Sequence, residues 1–165
     1  MTTGAVVWLT GLPASGKSTL ARHLAACLGA AQQPAVILDG DDVREVLVPR
    51  PGHDEAGRDA MYRTLAGLAA LIARQGVIAI VAATAHRRAW RELARSLAPR
   101  FIEVHVATPL AECRRRDPKG LYAAAPAELP GAGVAYETPA APEVIAPTGD
   151  NAAAIDAILA AITAR

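Results

Sequence analysis

Cysteine, net charge and long apolar runs are all scarce in this 165-residue sequence, and each scarcity excludes a class of protein. Two isolated cysteines, Cys27 and Cys113, are too few for a disulfide framework or a cysteine-rich metal site. The 17 basic and 16 acidic side chains nearly cancel, which disfavours nucleic-acid binding through bulk charge. The longest apolar runs, such as residues 77–83, fall far short of the roughly 18 residues that span a bilayer.

The N-terminal residues also lack the basic region that opens a secretory signal. Together these features predict a cytoplasmic protein that has neither a nucleic acid nor a membrane as its partner. Lysine is rare as well, since Lys17 and Lys119 stand against fifteen arginines. In a composition that favours arginine, a retained lysine indicates a position where arginine does not serve.

Short apolar strands and helices alternate along the whole chain. Strands are predicted at 5–9, 35–38, 77–83, 101–106 and 144–145. Helices are predicted at 17–28, 42–47, 55–74, 88–97, 109–116 and 151–164, with Asp150 as a candidate N-cap of the last. This order predicts one α/β domain over residues 1–165, with a parallel sheet covered by helices on both faces. Residues 117–143 are too many for an ordinary connection and predict a lid or binding loop.

Residues 11–18 match the phosphate-binding loop in full, and they lie between a predicted strand and a predicted helix as the motif requires. In such a loop, backbone N–H groups and the helix N-terminus face phosphate oxygens. Lys17 is expected to reach the β- and γ-phosphates of ATP, and Ser18 to offer its hydroxyl to Mg²⁺. The predicted ATP-binding residues of the loop are Gly11, Pro13, Ala14, Ser15, Gly16, Lys17, Ser18 and Thr19.

Asp39 and Asp41 follow the second predicted strand, at the edge where parallel sheets place their ligands. Residues i and i+2 of an extended segment point to the same side, so both carboxylates can face the phosphate loop. One of them is expected to hold Mg²⁺ through water, while the other accepts the proton of an attacking hydroxyl. Asp42 is expected to cap the next helix, and the sequence leaves open which of the other two is the base.

Arginines line the same predicted rim. Arg44, Arg58 and Arg63 lie on the two helices after this turn, and Arg87 follows the third strand. Their guanidinium groups suit phosphate or sulfate oxygens. The alternative for each is that it is an ordinary charged residue on the solvent-exposed face of a helix.

Two further basic residues and one histidine complete the candidates near this rim. Arg116 and Lys119, at the start of the lid, are expected to act on the nucleotide or the acceptor. Arg114 and Arg115 are expected at the surface. His86 is interpreted as a packing residue rather than a base.

These residues together resemble the adenylyl-sulfate kinases, which use MgATP to phosphorylate the ribose 3′-hydroxyl of adenosine 5′-phosphosulfate (APS). The resemblance runs from about residue 5 to 150. It is carried by Trp8-Leu9-Thr10-Gly11-Leu12, Gly16-Lys17-Ser18-Thr19-Leu20, Leu38-Asp39-Gly40-Asp41-Asp42-Val43-Arg44, Phe101-Ile102-Glu103-Val104, Pro109-Leu110, Cys113, Arg116-Asp117-Pro118-Lys119-Gly120-Leu121-Tyr122, Tyr136-Glu137-Thr138-Pro139 and Pro142-Glu143.

The resemblance implies a single P-loop kinase domain with a lid or acceptor loop at about 114–143. It implies ATP on residues 11–19 with Arg116, metal or catalytic roles for Asp39 and Asp41, and Mg²⁺ held by Ser18 and Asp39. Contacts to the acceptor are implied for Asp41, Arg44, Arg58, Arg63, Arg87, Lys119 and, at a stacking position of the lid, Leu129.

The departures from the family pattern gather on the acceptor side. Met61 replaces an asparagine, and residues 84–87 replace the usual Ser-Pro-Tyr-Arg with Thr-Ala-His-Arg. The family pattern has a further arginine soon after this motif. In this sequence Trp90 stands at that position, or the arginine is shifted to Arg91. Leu129 replaces a lid phenylalanine that stacks on the adenine of the acceptor, a contact worth about 1–3 kcal/mol.

Three hypotheses follow from this pattern. The first is a diverged adenylyl-sulfate kinase, and the second is a kinase of the same scaffold that phosphorylates a hydroxyl of a different small molecule. The third is a nucleotide-binding regulatory module without turnover, which the intact phosphate loop and aspartates disfavour. A homodimer is plausible because helix faces in so alanine-rich a chain are expected to leave apolar surface exposed.

Overall fold

A single parallel sheet organises the structure, a computed structural model that describes residues 4–124, 126–149 and 151–164. Its strands are β1 (Val6–Thr10), β2 (Ala35–Asp39), β3 (Ile78–Ala82), β4 (Phe101–Val106) and β5 (Val144–Ala146). The five described strands lie in the order β2-β3-β1-β4-β5, and every pairing between neighbours is parallel. The predicted α/β class and parallel sheet are confirmed.

The helices follow the predicted alternation closely. They are α1 (Lys17–Ala30), α2 (Gly40–Val46), α3 (Glu55–Arg74), α4 (Arg88–Leu97), α5 (Leu110–Arg116), α6 (Leu121–Ala124) and α7 (Asn151–Thr163), with a 3-10 turn at Pro126–Glu128. Helix α2 begins two residues before its predicted start, because the side chain of Asp39 accepts a hydrogen bond from the Asp41 amide. The prediction that Asp42 caps this helix is therefore wrong, and Asp39 is the N-cap. Asp150, the candidate cap of α7, lies outside the described residues.

Two apolar cores cover the two faces of the sheet. Alternating side chains of β1 show the division, since Val7 and Leu9 pack on one face and Val6 and Trp8 on the other. The first face is covered by α1 and α7, and the second by α3 and α4. The buried sheet therefore presents the carboxyl ends of β1, β2 and β3 side by side at one edge.

The segment after α5 folds back over this edge and is partly helical, whereas the sequence predicted only a loop there. The Tyr122 hydroxyl donates to the Pro13 carbonyl at 2.8 Å. Gly131 has a φ of +85° and packs so closely on the Leu12 side chain that a Cβ would clash. The predicted lid is thus packed directly against the phosphate loop.

Candidate active site

The phosphate loop between β1 and α1 has the backbone conformation that its glycines and small residues permit. Gly16 has a φ of +101° and is the N-cap of α1, while Ala14 adopts a left-handed φ of +62°. Thr108, which follows β4, donates its hydroxyl to the Ser15 carbonyl at 2.7 Å and so supports the loop from beneath. Within the described residues, no side chain caps α1 at Gly16, which leaves the helix N-terminus open to an anion.

Lys17 bends back over this loop. Its ammonium donates to the carbonyls of Gly11 and Leu12, at 3.0 and 2.8 Å. Burial lowers the pKa of Lys17 to about 8, although the negative charges of Asp39 and Asp41 oppose the shift. The lysine is therefore still charged at neutral pH, and its charge is only weakly solvated.

The lowered pKa of Lys17 predicts a pH effect on ATP use. Ionisations of the free enzyme appear in kcat/KM, so this ratio for ATP should fall as pH rises through about 8, because Lys17 loses its proton there. Lys119 does not titrate in this range, since its hydrogen bond to Asp41 raises its pKa. Initial rates from about pH 6.5 to 9.5 test this, with the slope approaching roughly tenfold per unit. A flat profile through pH 9 would contradict it.

The two aspartates of the β2–α2 turn are held differently. Asp39 accepts from the Ser18 hydroxyl at 2.5 Å through one oxygen and from the Asp41 amide at 3.0 Å through the other. Asp41 instead accepts from the Lys119 ammonium at 2.6 Å, and both of these side chains are largely exposed. The structure thus brings Asp39 to the phosphate loop and Asp41 to the lid.

The pKa of Asp41 lies below its ordinary value. Partial desolvation opposes ionisation of this carboxyl, but the hydrogen bond from Lys119 and the charges of Lys119, Lys17 and Arg44 outweigh it. Asp41 is consequently ionised at neutral pH and can accept a proton.

The oxygens of Ser18 and Asp39 fit a magnesium site of the kinase type. Within the described residues there is no group of three or more His, Cys, Asp or Glu that could hold a metal. Mg²⁺ in kinases needs no such cage, because it keeps several waters and binds one or two protein oxygens together with phosphate oxygens. A hydroxyl and a carboxylate 2.5 Å apart beside the phosphate loop suit that arrangement.

The four candidate acceptor arginines each already have a protein partner. Arg44 is buried and donates to the carbonyls of Pro51 and Gly52, at 2.9 and 2.6 Å. The other three are more exposed. Arg58 donates to the Glu128 carbonyl at 2.7 Å, Arg63 to Asp59 at 2.7 Å, and Arg87 pairs with Glu55 at 2.8 Å.

Arg44 and Arg58 share one electrostatic neighbourhood with Asp41. The pKa of His53 reflects this neighbourhood. Desolvation and then the charges of Arg44 and Arg58 lower this pKa, while the charge of Asp41 raises it. His53 was not among the predicted site residues, because its position becomes apparent only when the α2–α3 loop is folded. Arg63, by contrast, is held by Asp59 on the surface of α3.

Two of the substituted residues, His86 and Trp90, form an aromatic cluster with Tyr62. Tyr62 and Trp90 have ring centroids 4.5 Å apart, and His86 meets the Trp90 ring edge-on at 5.0 Å. Trp90 donates to Asp59 at 3.0 Å, and Arg87 lies over its ring at 5.5 Å. The pair therefore ties α3 to α4 beneath the guanidinium of Arg87.

His86 and Arg91 are packing and structural residues in this arrangement. Burial, followed by the charges of Arg58 and Arg87, lowers the pKa of His86 to about 4, so its ring is neutral at pH 7. Arg91 is 1% exposed and pairs with Glu103 at 2.7 Å. The alternative that the missing arginine of this region shifts to Arg91 is therefore not supported.

Arg116 lies beside the phosphate loop. One terminal nitrogen is 3.8 Å from the position that a Cβ of Gly16 would occupy, and its Nε donates to Glu112 at 2.8 Å. Hydrogen bonds from Arg115 and Arg116 lower the pKa of Glu112 to about 2. Glu112, one turn earlier on α5, is a residue that the sequence analysis missed, although its i,i+4 spacing to Arg116 could have indicated the pair.

Comparison with known proteins agrees with this geometry. The family described as Adenylylsulphate kinase matches residues 3–146. The chain belongs to this family. An adenylyl-sulfate kinase of Shewanella denitrificans is 41% identical over 167 residues, covering 96% of this chain and 82% of that protein. The enzyme is accordingly an ATP-using phosphotransferase with an alcohol group as acceptor, and the hypothesis of a non-catalytic module is not supported.

Solved structures show the same relationship. The APS kinase of Mycobacterium tuberculosis in complex with AMPPNP and APS has a TM-score of 0.90 and 32% identity, covering 99% of this chain and 100% of that chain. A hexameric APS kinase from Thiobacillus denitrificans has a TM-score of 0.72 and 30% identity, covering 98% of this chain and 29% of that chain. No described helix of this adenylyl-sulfate kinase family member is long and apolar enough to cross a membrane.

Proposed function

We propose that this enzyme transfers the γ-phosphoryl group of MgATP to the 3′-hydroxyl of APS, which yields 3′-phospho-APS (PAPS) and ADP. The observation that carries the proposal is the position of Asp41 between the nucleotide and acceptor sides. It lies two residues beyond Asp39, which is bonded to Ser18, and it is paired with Lys119 of the lid. An ionised carboxylate there can accept the proton of a bound hydroxyl.

One group of residues binds the nucleotide and its metal ion. Lys17 and the N-terminus of α1 bind the triphosphate and stabilise the charge that develops during transfer. Arg116 supports the same phosphates from the lid side. Ser18 and Asp39 would hold Mg²⁺, which neutralises phosphate charge and orients the γ-phosphoryl group when bound.

The acceptor is bound and oriented on the other side of Asp41. Lys119 and Arg87, together with Arg44 and Arg58, give this side the positive charge that a phosphosulfate needs. Exchange of one ion-pair partner for another is feasible here, because Arg87 and Lys119 are paired with exposed carboxylates.

Product analysis tests the proposal. The purified enzyme with MgATP and APS should form PAPS, with the new phosphate assigned to the 3′ position by ³¹P NMR and mass spectrometry. Consumption of ATP without a phosphorylated form of APS would contradict the proposed acceptor.

The second candidate function, phosphorylation of another hydroxyl compound, is favoured by the buried Met61 and by the loss of a lid aromatic at Leu129.

The Leu129→Phe variant distinguishes these two functions. Leu129 is partly exposed, and its carbonyl accepts from the amides of Ala132, Gly133 and Val134, so a larger side chain can be placed without changing the turn. If the lid covers an adenine, stacking worth about 1–3 kcal/mol should tighten APS binding by roughly fivefold or more. Calorimetric titration with APS measures this.

The matched control is Leu97→Phe, which adds the same ring at an exposed leucine on α4, outside the segment that contains Leu129. Its APS affinity should equal that of the wild type. Unchanged or weaker APS binding by Leu129→Phe would favour a different acceptor.

For the assembly of this enzyme, we propose a homodimer.

A further inference from the structure

The loop that carries Arg87, residues 83–87, has a conformation that must be held from outside. Ala85 adopts a φ of +41°, which alanine rarely takes without support. The Thr84 carbonyl accepts from the Thr10 hydroxyl at 2.6 Å, and the Ala85 carbonyl accepts from Arg91 at 2.5 Å. Contacts from β1 and α4 thus fix the first half of the loop.

Glu137 fixes the second half, on both sides of Arg87. Its backbone amide donates to the His86 carbonyl at 2.8 Å. Its carboxylate accepts from the Arg88 amide at 2.6 Å, and this amide is the first of helix α4. The residues immediately before and after Arg87 are therefore bonded to the same glutamate.

The carboxylate of Glu137 also replaces a missing local cap. Arg87, the N-cap of α4, makes no capping bond with its own side chain, and the first turn of the described helix has no acidic residue. A carboxylate at a helix N-terminus is favoured by the helix dipole and by a charge-assisted hydrogen bond. Glu137 provides both from a segment that is 49 residues away in the sequence.

Glu137 and the residue before it are themselves held by hydrogen bonds to buried residues of the fold. Its carbonyl accepts from Arg91 at 2.6 Å, and Arg91 is fixed by its buried pair with Glu103 of β4. The preceding residue, Tyr136, has its hydroxyl 3.0 Å from that of Thr10, at the end of β1. Glu137 and Tyr136 therefore connect the Arg87 loop to β1, the strand that leads directly into the phosphate loop.

We propose that Glu137 is a positioning residue, which holds the backbone of Arg87 so that its guanidinium meets the anionic group of the acceptor. The proposal rests on the proposed function, in which Arg87 binds APS. Glu137 acts through Arg87 and not on the substrate, so its loss should weaken acceptor binding and leave the nucleotide site intact.

Steady-state kinetics of Glu137→Ala test this proposal. We expect the KM for APS to rise about tenfold, the order expected for loss of a helix cap, while kcat and the KM for ATP stay within about twofold. Glu137→Gln retains a neutral acceptor oxygen and should recover most of the loss. In an Arg87→Ala background, Glu137→Ala should have no further effect on the KM for APS, because the two residues act as a unit.

Glu143→Ala is the matched control. Glu143 lies in the same segment, and its carboxylate accepts from Arg95 at 2.6 and 3.0 Å and from the Glu103 amide at 2.6 Å. Its loss should change thermal stability and not the KM for APS. Equal effects of both alanine variants on this KM, equal changes in the KM for both substrates, or additivity with Arg87→Ala would overturn the proposal.

Hydrogen exchange separates this proposal from the proposed function. In Glu137→Ala, the Arg88 amide should exchange about tenfold faster than in wild type or Glu143→Ala, without any substrate. Unchanged exchange at Arg88 would refute the proposal that Glu137 holds the backbone of Arg87. No turnover of APS by the wild type would refute the proposed acceptor instead, and the exchange rates would still decide whether Glu137 holds this loop.

Discussion

Lys17→Ala is expected to lower kcat on the order of 10³-fold, because a charged donor preorganised at the transferring phosphoryl group is lost. In the structure this ammonium is held by the Gly11 and Leu12 carbonyls, and burial leaves it weakly solvated. Nothing else in the described loop supplies a cation at that point. Rapid-quench measurement of ADP formation under saturating substrates gives the value.

Arg74→Ala is the control for Lys17→Ala. Arg74 is an exposed cation at the end of α3 that donates to the Leu97 carbonyl at 3.3 Å, so its removal should leave kcat unchanged. Activity retained by Lys17→Ala at the wild-type level would mean that ATP does not react at this phosphate loop.

Asp41→Asn should lower kcat by on the order of 10²-fold or more, since asparagine has nearly the same shape and cannot accept the proton. The pKa of Asp41 is held below its ordinary value, so the carboxylate is already the base form at neutral pH. Ionisations of the free enzyme appear in kcat/KM, so the wild-type kcat/KM for APS should fall on the acid side only below the ordinary carboxyl range. That acid limb should disappear in the variant.

Asp39→Asn provides the contrast. Asp39 is bonded to Ser18 and caps α2, so its amide variant should raise the Mg²⁺ concentration needed for half-maximal activity. Asp41→Asn should leave that concentration unchanged. A normal kcat and a normal pH profile in Asp41→Asn would remove Asp41 from the role of base.

The nucleotide half of the site could be predicted from the sequence because its chemistry is local. The phosphate loop requires a strand, a glycine-rich turn and a helix that follow one another within residues 6–30, and each has its own short-range pattern. The bond between Ser18 and Asp39 is consistent with the general rule that the carboxyl ends of parallel strands lie at one edge of the sheet, here the ends of β1 and β2 on either side of β3. These residues need no knowledge of distant contacts.

The acceptor half depends on contacts between segments that are far apart in the sequence. The Arg58 contact with Glu128 spans 70 residues, and that of Lys119 with Asp41 spans 78. Spacing alone could not distinguish an acceptor arginine from Arg63, which pairs with Asp59 one turn away. The early start of α2 was missed for a smaller reason, since Asp39 and Asp42 both suit a cap and only the backbone decides between them.

The substitutions on the acceptor side are coupled by the fold. Trp90 packs against Tyr62, donates a hydrogen bond to Asp59 and lies under Arg87, so a single cluster links α3, α4 and the Arg87 loop. The altered residues thus fit one another in a packed structure.

ADP release from MgATP by the purified enzyme, measured with and without micromolar APS, is the decisive test of the proposed phosphoryl transfer to APS. We predict strong stimulation by APS, which depends on both Lys17 and Asp41. ATP binding without any stimulation by APS would contradict the proposed acceptor and would direct the search to other anionic hydroxyl compounds.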